Sequence, residues 1–115
     1  MKNTSPRIIN LDNPLLQLWL TGANKVIADN YTKSNWPATL PKDVLIANEG
    51  ERYIKILRVR EGATTGAAYA FIDRTNGDVL MAASWRAPAK HARGNLFSPD
   101  NGLTCVGPYG IAYLR

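Results

Sequence analysis

The sequence predicts an α+β fold: one amphipathic helix packed on a small antiparallel sheet of three to five strands, followed by an irregular C-terminal segment. Three observations carry this expectation. Asn13-Pro14 opens a run of apolar residues spaced near the helical period. Later runs at 52–60, 67–73 and 78–85 are rich in strand-forming residues. Between the last two runs lies Asn76-Gly77, a hairpin signal because its turn needs positive φ, which those residues tolerate.

Taken in order, residues 1–12 begin polar and then carry Ile8, Ile9 and Leu11, so the chain should pin down at the isoleucines. Asn13 is a good N-cap, and Pro14 suits the first helical position, where its missing N–H is no loss. Leu15, Leu16, Trp19, Ala23, Val26 and Ile27 form one stripe, widened by Leu18 and Leu20, and predict a helix over 14–31. Gly22 costs that helix about 1 kcal/mol relative to Ala. Residues 32–43 read as loop, because Pro37 and Pro41 exclude a long helix, and Trp36 reads as a core plug. Residues 44–47 fit a short strand or a single turn, and 48–51 a turn.

Residues 52–60 form the first firm strand, with Arg52, Arg58 and Arg60 on the parity of Ile54 and Ile56 and Lys55 on the other. The next strand, 67–73, puts Tyr69, Phe71 and Asp73 on one face. With 78–85 these runs make a three-strand antiparallel meander that the helix can cover on one side. The stretch from Ala87-Pro88 to Gly94 reads as one helical turn. Beyond it the chain is loop-rich but carries Leu96, Phe97, Leu103 and Val106, so it should pack. Residues 111–115 fit a last short strand.

The length of 115 residues suits one domain over 1–115. A net charge of +5 on so small a chain favours an anionic partner. The single cysteine, Cys105, cannot form an internal disulfide, so a reducing interior is expected. One Cys and one His do not make a usual zinc site, a carboxylate site for Mg²⁺ stays open but has no motif behind it, phosphate-loop and dinucleotide patterns are absent, and no cofactor is expected. The apolar run at 15–20 is too short for a membrane span and lacks a leader's cleavage site, which predicts a soluble intracellular protein.

The candidate site is SWRAPAKHARGNLFS at 84–98. Arg86, Lys90, His91 and Arg93 cluster there with no acid between them, bordered by Trp85 and Phe97. Cations neutralise phosphates and release counterions, and aromatic faces stack on unpaired bases. This predicts a nucleic-acid site at Trp85, Arg86, Lys90, His91 and Arg93, which Arg58 and Arg60, with Arg52 and Lys55, could extend across the meander. The plainer alternative is a solvated basic loop whose Trp85 belongs to the core. No RNP1 pattern, KH GXXG clamp or C₂H₂ spacing is present, so the signal is generic and does not choose between DNA and RNA.

Two enzymatic alternatives exist on paper. Cys105 and His91 could form a nucleophilic pair, but no flanking signature supports it. His91 with Lys90 and Arg93 could cleave RNA if Glu49, Glu51, Glu61 or Asp73 supplied a carboxylate. The expectation is a non-enzymatic binder, with docking on a protein partner as the runner-up.

The stretch AYAFIDRTNGDVLMAASWRAPAKHARGNLF, with the ending GPYGIAYLR, resembles small bacteriophage-encoded proteins of unassigned activity. The resemblance covers roughly residues 68–115. It implies a phage product made in the host bacterial cytoplasm. It favours nucleic-acid handling, a virion or assembly role, or an inhibitor of a host protein over metabolic catalysis, and it carries no residue roles.

Overall fold

The fold comes from a computed structural model that describes residues 9–33, 42–63, 66–107 and 110–111. One helix, α1 (Pro14–Lys33), precedes five strands: β1 (Asp43–Glu49), β2 (Tyr53–Arg60), β3 (Gly66–Asp73), β4 (Asp78–Ala82) and β5 (Pro88–Asn95). The strands form one antiparallel sheet in the order β1-β2-β3-β4-β5. The α+β expectation therefore holds, and β1 and β5 extend the three-strand meander to the upper end of the expected three to five strands. Trp36 and residues 112–115 lie outside the described residues.

Helix α1 starts as its sequence dictates. The Asn13 side-chain oxygen accepts the N–H groups of Leu15 at 2.8 Å and Leu16 at 3.3 Å, satisfying two donors that the first turn leaves open. Leu16, Trp19, Ala23, Ile27 and Tyr31 then recur every three or four residues and are buried. Leu18, read as part of that stripe, is 56% exposed instead. Asn24 fixes the helix to β1: its amide accepts the Leu45 N–H at 2.7 Å and donates to the Leu45 carbonyl at 3.0 Å.

Cross-strand partners share a face of the sheet. Leu45 and Ala47 of β1, Ile54 and Ile56 of β2, Ala70 and Ile72 of β3, and Val79 and Met81 of β4 share the face that meets α1. The opposite face carries Lys55, Phe71 and Leu80 in register across β2, β3 and β4, with Leu57 and Val59 further along β2. Phe71, Leu57 and Val59 are 2–3% exposed, so the sheet centre is buried on both sides, which suits its near-continuous apolar runs. A bulge in β3 opposes Ile56 with Ala70 and Leu57 with Ala68, leaving Tyr69 unpaired in the ladder. Its hydroxyl donates to the Gly107 carbonyl at 2.6 Å.

The Asn76-Gly77 hairpin forms, but not as a tight two-residue turn. Only Gly77 has positive φ, 82°, and its N–H bonds to the Asp73 carbonyl at 2.8 Å. The helical turn expected from Ala87-Pro88 to Gly94 is instead strand β5. Ala83 and Ser84 N–H both donate to the Ala87 carbonyl, which reverses the chain after β4, now ending at Ala82 rather than residue 85. Pro88 then opens an edge strand, where a missing N–H is tolerated, and pairing with β4 overrides the local helical preference.

The C-terminal turns pack back on α1. Trp19, fully buried, donates its indole N–H to the Gly102 carbonyl at 3.4 Å, and a Cβ on Gly22 would stand 2.7 Å from the Leu103 side chain. The Gly22 break in helix propensity thus makes room for Leu103. Asn101 and Gly102 turn the chain with φ of 57° and 74°, and the Asn101 amide bonds the carbonyls of Leu96 and Leu15. Val106 and Ile111 pair as an isolated bridge, and Ile111 is the sole described residue of the last strand expected over 111–115.

Candidate functional site

On the sheet face away from α1, a pocket of about 330 Å³ lies between the β1–β2 turn, the strand centre and the loop joining β4 to β5. Strand alternation puts Tyr53 and Lys55 of β2 on this face, and register sets Phe71 of β3 opposite Lys55. Tyr53 and Phe71 meet edge to face, with centroids 6.0 Å apart and planes at 80°. Trp85 and Arg86, from residues 83–87, complete the wall.

The cations sit on the rings. The Lys55 ammonium lies 4.1 Å from the Trp85 centroid and 5.8 Å from that of Phe71. The Arg52 guanidinium lies 5.3 Å from the Tyr53 centroid and pairs with buried Asp73 at 3.6 Å. Asp73 also accepts the N–H and hydroxyl of Thr75, so it anchors the β3–β4 turn as well as Arg52. Glu49 lines the pocket but pairs with Arg74 at 2.9 Å. Among the described residues, Lys55 and Arg86 have no ion-pair partner, and Glu51 is the remaining acid of the lining.

Arg74 holds the wall in place. Its guanidinium donates to the Ile9 carbonyl at 2.8 Å, to the Asn10 side chain and Glu49 carboxylate at 2.9 Å each, and to the Gly50 carbonyl. One side chain thereby joins the N-terminal segment, the β1–β2 turn and the β3–β4 turn.

The residues predicted as one site are divided by the fold. Trp85 and Arg86 reach the pocket, and Trp85 is 48% exposed rather than core. Lys90 and His91 are exposed on β5 at the sheet edge. Arg93 packs on Met81, with its guanidinium 3.8 Å from the thioether sulfur, and also bonds the His91 carbonyl. Its Nε is buried with no hydrogen-bond partner among the described residues. Arg58 pairs with Asp43 at 2.8 Å, and Arg60 is exposed at the end of β2. Phe97, expected to border the cluster, is exposed beside Gly77 at the β3–β4 turn.

Sequence reasoning left Tyr53 and Phe71 out of the site and gave Lys55 and Arg52 only a supporting place. Strand parity already grouped Tyr53 with Lys55. What no local pattern showed was the fold-back of the β4–β5 loop.

Burial and hydrogen bonding set the titration behaviour elsewhere. Burial is the main cause raising the Cys105 thiol above its ordinary range, so the weaker nucleophile, the thiol, persists at neutral pH. The thiol donates to the Gly102 carbonyl at 3.2 Å, and His91 makes no side-chain hydrogen bond among the described residues. Tyr69 is pushed up to about 12, chiefly by burial. Asp100, which caps the turn after it, is held below the usual carboxylate range mainly by its Thr104 side-chain hydrogen bond and by backbone N–H groups. Among the described residues no group of three or more His, Cys, Asp or Glu is placed to hold a metal ion, and no helix is long and apolar enough to cross a membrane.

No curated protein and no solved structure matches the chain. A model of a family of unknown function, DUF7717, matches residues 19–112, which run from the buried Trp19 to just past the Val106–Ile111 bridge. The chain belongs to that family.

Proposed function

We propose that this member of DUF7717 is a non-enzymatic nucleic-acid-binding protein of bacteriophage type, acting in the host bacterial cytoplasm, with the Trp85 pocket at the centre of its binding surface. The observation that carries this reading is the gathering of Lys55, Arg86 and Arg52 around three aromatic rings on one open face. Cations meet phosphates and rings meet bases, and a +5 chain draws a polyanion toward that face. Exposed Lys90, His91 and Arg60 give further positive surface. Arg58 and Arg93, held by Asp43 and Met81, contribute least.

The test is binding of a labelled single strand and a labelled duplex, DNA and RNA, at low and at physiological salt. Replacing Arg86 and Lys90 together by Ala should weaken single-strand binding and flatten its logarithmic salt slope by about 1.4, at about 0.7 per phosphate contact. Arg93→Ala should leave the slope unchanged. No binding at low salt refutes the reading.

A second reading, a virion or assembly protein, or an inhibitor docked on a host protein, draws on β5. This strand has a ladder partner on one side only among the described residues. A stable oligomer with no nucleic-acid affinity would favour it.

A further inference from the structure

Building on the nucleic-acid reading, we infer that the pocket on the far face seats a single unpaired nucleotide, with its base against the Trp85 indole and its phosphate at Arg86. The volume of about 330 Å³ is at the lower end of small-ligand sites, which suits one nucleotide and not a duplex. Lys55 lies over the indole at 4.1 Å, yet Trp85 remains 48% exposed, so the ring has a cation beside it and is still accessible. Two hydrogen bonds to the Ala87 carbonyl close the loop that carries Trp85, which reduces the ordering cost of binding.

The charges are arranged for a nucleotide rather than for a simple anion. Arg52 is committed to Asp73 and Tyr53, and Glu49 to Arg74, so these residues shape the wall. Arg86, next to Trp85 in the chain, has no ion-pair partner among the described residues and is exposed. In a duplex the bases stack on one another and hide their faces. Only an unpaired base offers a face to the indole while its phosphate meets a neighbouring cation.

The experiment compares an eight-nucleotide single strand, an abasic strand of the same length and charge, the matching duplex and free adenosine 5′-monophosphate. All four are titrated against the parent, Trp85→Ala and Trp85→Phe. Because Trp85 is exposed, both variants should keep the parent's melting temperature, which is checked first. The strand with bases should bind the parent about tenfold more tightly than the abasic strand. Trp85→Ala should reduce that ratio to within about twofold with the salt slope unchanged, and Trp85→Phe should restore part of it. Equal affinity for the abasic strand, or a ratio unmoved by Trp85→Ala, overturns the nucleotide pocket while leaving phosphate binding intact. A monophosphate binding as tightly as the strand overturns the strand as ligand. No binding of any strand at low salt overturns the nucleic-acid reading itself.

Discussion

Replacing Tyr69 by Phe should cost stability at neutral pH and remove a dependence on alkali. The Tyr69 hydroxyl sits 2.6 Å from the Gly107 carbonyl, and the residue is 5% exposed. Losing that bond leaves a part-buried acceptor without its donor, a cost of about 1–2 kcal/mol. The folded state raises the tyrosine from 10.0 to about 12. A raised value means that the stabilisation is complete below pH 10 and is lost as pH climbs from there through about 12. The gap caps the loss at about 2.7 kcal/mol, of which about 1.4 has gone by pH 11. The parent's advantage over Tyr69→Phe should therefore vanish near pH 11. Urea unfolding of both proteins from about pH 8 to 11.5 reads this directly, because the other tyrosines and the lysines are common to both and cancel. A stability difference that stays constant over that range refutes the assignment of the titrating group. A difference near zero at pH 8 refutes the hydrogen bond's contribution.

Three other outcomes can be checked on the same protein. Arg74→Met should lower stability by about 2–4 kcal/mol in denaturant unfolding, because the N-terminal segment and the turns around the pocket lose their shared donor. Asn24→Ala should cost about 1–3 kcal/mol by the same measurement, since both backbone groups of Leu45 lose their partners. Cys105 should react with iodoacetamide more slowly in the folded chain than in urea, with the folded rate rising only at a higher pH, as its raised thiol requires.

Helix α1 and the hairpin strands were legible because their signals are local. A cap at Asn13, a periodic stripe and an Asn-Gly turn each operate within a few residues. The fifth strand was illegible because PAKHARGN carries helix-like and loop-like residues, and only its pairing with β4 makes it extended. For the same reason the packing of Arg93 gave no local signal: His91 and Ala92 before it are exposed, but a bulged ladder puts its guanidinium against Met81. Composition pointed to Trp85 and Arg86, whereas Tyr53, Lys55 and Phe71 join them through a loop that begins more than twenty residues beyond the end of β2 in sequence. Arg74 gave no signal at all, because a lone arginine in a turn reads as solvated until its carbonyl partners are in place.

The Asn24 amide matters beyond the bonds it makes. It presents to Leu45 the same donor and acceptor that another strand would present, on the outer margin of β1. One margin of the sheet is thus partly terminated from within, while β5 ends the other with its outer margin unpaired among the described residues. A sheet with two free margins can add copies indefinitely. A sheet with one can join a single further copy, β5 to β5, after which both free margins are consumed and growth stops. By bonding Leu45, the polar side chain of one helix residue removes part of the template that the β1 margin would otherwise offer to another strand.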